Sequence, residues 1–292
     1  MRLLEDYNPI VVAVYFFAVA GVAMFSMNPA LLALSLLGSL LFYFSRSGTR
    51  NFASHLWLLG LFAVLVIVNP LVSHNGVTVL FVLNGNPVTL EATIYGLAAA
   101  VMILSVLYWF RSFSEIMTSE RLLYLMGGLS PKLALVLSMG LRYVPLFVAE
   151  AGRIRRAQTA IGLYKDDNAI DRMRGGGRIF SILVTWALEN GIVTADSMAA
   201  RGWGIGRRTH FSIFRFRRAD AVLLSTVLLL FAVTAVGIGT DALDFTYYPA
   251  IVPGAASPLT VAGIAAYGIL TLIPTILEAE EAVKWTCLRS KI

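Results

Sequence analysis

Residues 219–239 read ADAVLLSTVLLLFAVTAVGIG, a run whose only charge, Asp220, stands at its second position. A bilayer core takes a helix of about 20 mostly apolar residues, so this stretch predicts a transmembrane helix. Five further runs fit the same measure: 9–25, 29–44, 56–72, 92–110 and 259–277. The first two are short and separated only by Ser26-Met27-Asn28, with Asn28-Pro29 as turn and helix start, which predicts a tight helical hairpin. Composition agrees: 58% of residues are hydrophobic and 14% charged, against about 25% charged in soluble domains. The expected fold is all-α and polytopic, with about six transmembrane helices plus cytoplasmic or interfacial helices. Residues 1–110 form an N-terminal membrane domain of four spans and 111–218 a cytoplasmic domain. Residues 219–292 form a C-terminal hairpin of two spans and a tail.

The start, Met1-Arg2-Leu3-Leu4-Glu5-Asp6, does not read as a signal peptide, because an acidic pair precedes the apolar run and no small-residue cleavage site follows. Lysine and arginine set orientation. With the N-terminus inside, the inside carries Arg2, then Arg46 and Arg50, then 17 basic residues in 111–218, then Lys284, Arg289 and Lys291. That is all 23 in the chain, and the outside loops 73–91 and 240–258 carry none. The expectation is a multi-pass protein of a prokaryotic cell membrane with both termini cytoplasmic. Residues 76–83, GVTVLFVL, are β-branched and precede Asn84-Gly85, which predicts a short hairpin on the outer side.

The central segment contains two more apolar stretches, 133–148 and 179–188. The first holds Arg142 and the second is about half a bilayer long. Burying an arginine at mid-membrane costs at least about 2.5–3.5 kcal/mol. Both are therefore expected as helices on or under the membrane surface. Residues 163–177, ending in Gly175-Gly176-Gly177, read as a flexible linker between them.

Several function classes are excluded. The spans are nearly free of ionisable residues, and Glu91, Asp220 and Glu278 stand at span ends, which argues against an ion-coupled carrier. No GxxxxGK[ST] phosphate loop occurs, so this chain is not expected to hydrolyse ATP. His55, His74 and His210 lack metal-ligand spacing and read as capping or interfacial polar residues. The one cysteine, Cys287, excludes an intrachain disulfide. No catalytic, cofactor or metal residues are expected.

The central segment carries 17 basic and 8 acidic residues. Topology and anionic lipid account for most of this charge. It lacks the aromatic and glycine pattern of an RNA-binding sheet and any helix-turn-helix spacing, so nucleic acid is not an expected partner. Arg153, Arg155 and Arg156 end one helical run. Ile179, Ile182, Leu183 and Trp186 form one apolar face of a second, which runs to Ala200-Arg201-Gly202, with Gly202 and Gly204 as helix stops. An arginine at such a helix end offers a planar fork for a partner's carboxylate, and small neighbours allow close approach.

Residues 189–208, ENGIVTADSMAARGWGIGRR, resemble the second coupling motif of the T component of energy-coupling factor (ECF) transporters, the EcfT/CbiQ family. Residues 142–162, RYVPLFVAEAGRIRRAQTAIG, are similar to the family's first coupling region, and 69–91, with GVTVLF and NGNP, also resembles its members. The resemblance implies a membrane scaffold whose coupling helices sit in grooves of two ABC-type ATPase subunits. A separate small membrane S component would bind the vitamin or metal ion. It also implies that Arg201 pairs with acidic groups of one ATPase. The first motif usually reads Arg-Ala-Gln-x-Ala-Arg-Gly, whereas here Arg156-Ala157-Gln158-Thr159-Ala160-Ile161-Gly162 puts Ile161 in the arginine's place. Either Arg155 or Arg156 compensates, or the first site docks by apolar contact through Ile161; in both cases the two contacts are unequal. The rival reading is a pathway-forming permease of an ordinary ABC importer. Glu150-Ala151-Gly152 starts like that class's Glu-Ala-Ala loop but does not continue as one.

Overall fold

The computed structural model describes residues 3–47, 52–73, 76–83, 86–164, 168–206, 214–254 and 257–289. His74, His210, the turn Asn84-Gly85, and the basic residues Arg2, Arg50, Lys165, Arg207, Arg208 and Lys291 lie outside them. The described helices are α1 (Pro9–Phe25), α2 (Pro29–Ser47), α3 (Phe52–Val72), α4 (Leu90–Ile116), α5 (Ser119–Leu129), α6 (Pro131–Ala160), α7 (Ala169–Ala200), α8 (Arg218–Gly239) and α9 (Pro258–Arg289). A 3-10 turn, Leu4–Asp6, precedes α1. The protein is an all-α polytopic membrane protein, as its composition predicts. Five of the six expected spans lie in helices long and apolar enough to cross a membrane; the sixth, α1, is shorter. By length and composition α6 and α7 also qualify.

The chain divides into two units, 1–122 with 214–292, and 123–213. In the first, α1, α4, α2, α9 and α8 pack in that order into a closed ring, and α3 packs on α4. α1 is apolar on every face, and 11 of its 17 residues are buried against its neighbours in the ring. Its start is set by Asn8, whose Oδ1 accepts the Ile10 N–H at 3.0 Å, with Pro9 in the first helical position. Asn28-Pro29 starts α2 the same way, Asn28 Oδ1 accepting the Ala30 N–H. The tight α1–α2 hairpin expected from that turn does not form: α1 packs chiefly on α4 and α8, and α2 on α4 and α9. Burying an all-apolar helix needs neighbours on several sides, and one partner cannot supply them.

Glycines decide the closest approaches. A Cβ at Gly38 would lie 2.7 Å from Thr271 Cβ, and one at Gly96 2.9 Å from Asn69 Cβ, so these glycines let α2 meet α9 and α3 meet α4. α9 runs well past the apolar stretch read as a span. Charge ends a span but not a helix, and Glu278, Glu280, Glu281, Lys284 and Arg289 continue it. The predicted hairpin is present: β1 (Val79–Leu83) pairs antiparallel with β2 (Asn86–Thr89).

The three acids at span ends have structural partners. Glu91 accepts the Thr78 N–H and hydroxyl, tying the hairpin to the start of α4. Asp220 holds two backbone N–H groups, and Glu278 lies 3.9 Å from Arg46. His55 is buried, not at a cap: its Nδ1 lies 2.9 Å from the Tyr108 hydroxyl, among Tyr43 and Phe44.

Pro274 has no N–H, so the Leu270 carbonyl loses its helical partner. The fully buried Tyr15 donates its hydroxyl to that carbonyl at 3.1 Å, across the ring from α1. Tyr267 returns the tie by donating to the Val19 carbonyl. Tyr15→Phe is expected to cost about 1–3 kcal/mol, because a buried acceptor is left unpaired. Thermal unfolding in detergent checks it, with Tyr43→Phe as the control. Among the described residues the buried Tyr43 hydroxyl has no hydrogen-bond partner, so its removal should not lower the midpoint.

Candidate functional site

The second unit carries the residues singled out in the sequence. α7 runs back alongside α6. Tyr143 and Thr194 hydroxyls meet at 3.3 Å, and Phe147 packs edge-on against Trp186 with centroids 5.9 Å apart. Trp186 belongs to the apolar face read from the sequence. Most of the less exposed positions fall on one stripe per helix, among them 139, 143, 147, 151, 154 and 158 on α6, and 175, 179, 183, 186, 190, 194 and 198 on α7. That spacing is helical, so both helices stay continuous along their stripes.

The stripe on α7 explains a correction. The expected linker 163–177 is mostly helix, because α7 begins at Ala169 and runs through Gly175-Gly176-Gly177. Each glycine costs a helix roughly 1 kcal/mol relative to alanine. Contacts with the true linker offset this cost. The Tyr164 ring packs where a Gly175 Cβ would stand, 2.5 Å from its Cδ2, and the Arg178 guanidinium donates to the Leu163 carbonyl at 2.7 Å. The Arg155 guanidinium also stacks on Tyr164, 4.8 Å from the ring centroid. Gly175→Leu should therefore expel Tyr164 and cost about 1–3 kcal/mol by overpacking. Limited proteolysis of the α6–α7 connection should accelerate. Gly176→Leu, where nothing among the described residues lies within 4 Å, should leave it unchanged.

Both helices end the same way. At α6, Ile161 is the C-cap and Gly162 follows with φ +74°. The Gly162 N–H donates to the Thr159 carbonyl at 3.0 Å and the Leu163 N–H to Gln158 at 2.9 Å. At α7, Arg201 is the C-cap and Gly202 follows with φ +75°. The Gly202 N–H donates to Ala199 at 3.0 Å and the Trp203 N–H to Met198 at 3.0 Å. Each is a Schellman motif, which needs a left-handed residue after the cap and so selects glycine. Ala160-Ile161-Gly162 and Ala200-Arg201-Gly202 are thus one backbone geometry used twice, with Ile161 and Arg201 at equivalent positions. Gly204, the second stop read from the sequence, is also left-handed, at φ +96°.

At both sites the alanine and the cap residue are exposed, and Ile161 keeps 69% of its surface open. Arg155 is stacked on Tyr164, and Arg156 lies back along the helix toward Gly152. Ala157 is exposed, while Gln158 is buried on the stripe. Because α7 runs antiparallel to α6, the caps lie at opposite ends of the pair. Arg201 is 26 positions beyond Gly175, which touches the α6 end, and at 1.5 Å per residue that is about 39 Å along α7. Tyr164 and Gly175 were missed by sequence reading. The available signals were an aromatic residue two positions after Gly162 and apolar residues, Leu163 and Trp203, where a Schellman motif makes its hydrophobic contact.

Residues 2–213 match the family described as CbiQ, cobalt transport protein. The chain is 31% identical over 102 residues to the energy-coupling factor transporter transmembrane protein EcfT 1 of Listeria monocytogenes, covering 34% of this chain and 38% of that one. It is 34% identical over 101 residues to EcfT of Listeria innocua, covering 34% and 38%, and 31% identical over 101 residues to EcfT of Lactobacillus helveticus, covering 34% and 36%. The aligned stretch therefore spans under two fifths of each relative. With the family match running through α1 to α4 and both capped helix ends, the chain belongs to the CbiQ family of cobalt transport proteins.

Proposed function

We propose that this chain is the transmembrane coupling subunit of an ATP-driven ECF-type importer in the cell membrane of a prokaryote, with both termini cytoplasmic. It would link two ABC-type ATPase subunits to a small membrane S component that binds a vitamin or metal ion. ATP hydrolysis belongs to the partners. α6 and α7 are its coupling helices, lying at the cytoplasmic membrane surface, and residues 111–218 hold the coupling machinery between the N-terminal spans and the C-terminal hairpin.

The observation that carries this reading is the pair of matched helix ends. Two exposed, identically capped turns about 39 Å apart suit two copies of one kind of groove. Arg201 brings a charged fork to one groove and Ile161 an apolar side chain to the other. The contacts differ in kind. Truncating one member of a desolvated charge pair costs about 2–5 kcal/mol, whereas burying an isoleucine contributes about 1.5–3 kcal/mol. The permease reading gains nothing from the structure, since Glu150-Ala151-Gly152 stands mid-helix in α6, not in a loop.

The test is affinity isolation of the chain from native membranes. Two ATPase polypeptides and one small hydrophobic membrane protein are expected. Uptake by this chain and ATPases alone, with no third membrane protein, would return the assignment to an ordinary permease.

A further inference from the structure

The chain passes from the membrane unit to the coupling-helix unit between Leu122 and Leu123, and returns between Ile213 and Phe214. Both crossings are flanked by side chains that hold the same short stretch, residues 4–8. At the outgoing side, the Arg121 guanidinium donates to the Ile116 carbonyl at 3.0 Å, closing the end of α4, and also to the Glu5 backbone carbonyl. At the returning side, Asp220 in the first turn of α8 accepts the Arg217 N–H at 2.7 Å and the Asn8 N–H at 3.1 Å.

The 4–8 stretch is itself anchored. Leu4 is 1% and Asn8 3% exposed, and the Glu5 carboxylate pairs with Arg46 of α2, which also reaches toward Glu278 of α9. Asn8 caps α1, the most enclosed helix of the ring. A displacement of the chain at either crossing therefore pulls on one rigid segment fixed to the starts of α1 and α8 and the ends of α2 and α4. Asp220 is 1% exposed and a backbone N–H pair satisfies it, so it is not a solvated surface charge.

We propose that Arg121 and Asp220 are positioning residues for coupling. Through residues 4–8 they transmit movement of the coupling helices to the membrane helices. This rests on the coupling-subunit reading given above. No ligand, ATPase or substrate touches these two residues in that role.

The test uses the complete complex in proteoliposomes, comparing Arg121→Gln, Arg121→Lys and Asp220→Asn with the native chain. Substrate taken up per ATP hydrolysed is measured alongside ATPase copurification and the thermal midpoint. Arg121→Gln and Asp220→Asn are expected to lower uptake per ATP by about five-fold or more, the range of a typical inter-site coupling, with copurification retained. Arg121→Lys keeps the charge and a donor and should recover part of the ratio. The two variants break different crossings, so if one fails to fold the other still decides. A native ratio within about two-fold in whichever of them folds with its ATPases bound overturns the clamp. A native chain that recovers no ATPase overturns the coupling-subunit reading instead.

Discussion

Arg201→Glu is expected to abolish recovery of ATPase subunits with this chain and to abolish uptake. Arg201 is the exposed C-cap of α7, and the Gly202 turn projects it past the last helical residue. In the proposed complex its fork meets carboxylates. Reversal replaces a bidentate attraction with repulsion between like charges in a partly desolvated contact. Removing one member of such a pair already costs about 2–5 kcal/mol, a loss of about 30- to 5,000-fold in affinity, and reversal adds to it. Ile161→Ala at the equivalent cap of α6 removes only apolar area and should weaken binding far less, by roughly ten-fold. Copurification from detergent extracts and uptake in cells check both variants. Full uptake by Arg201→Glu would remove Arg201 from the contact. Equal losses from the two substitutions would remove the asymmetry.

The membrane helices were legible because lipid imposes a simple rule: about twenty apolar residues, and every backbone group paired within the segment. The run at 219–239 needed nothing else. What escaped were properties that depend on neighbours. α1 and α2 looked like a hairpin because proximity in sequence is visible and burial on all faces is not. The triple glycine at 175–177 looked like a linker because its helical cost is intrinsic, while the Tyr164 ring that uses the missing Cβ comes from another part of the chain. His55 looked interfacial because nothing local announces Tyr43, Phe44 and Tyr108 around it. At the candidate site the helix stop at Gly202 was legible, while the matching stop at Gly162 was not read as one. The site's geometry is local: a left-handed glycine after an alanine and a cap residue, written once as Ala160-Ile161-Gly162 and again as Ala200-Arg201-Gly202.

Gly202→Val is expected to disrupt the same contact without touching a charge. Gly202 has φ +75°, and the Schellman hydrogen bonds from Gly202 and Trp203 require that conformation. Space is not the obstacle: among the described residues a Cβ there would find only Ile205 Cδ1, at 3.7 Å, an ordinary contact. The cost is in the backbone, about 1–3 kcal/mol for a β-branched residue held left-handed. The helix end can shed that strain by unwinding its last turn, which carries Arg201 away from the position the cap fixed. Gly202→Val should therefore lower ATPase copurification by at least about ten-fold with Arg201 intact, since a misplaced fork loses its bidentate geometry. Gly202→Asn separates strain from bulk, because asparagine is larger than alanine yet tolerates the left-handed region. Binding retained in the asparagine variant and lost in the valine variant assigns the effect to backbone conformation. Equal binding by all three chains would mean that Arg201 reaches its partner without a fixed helix end.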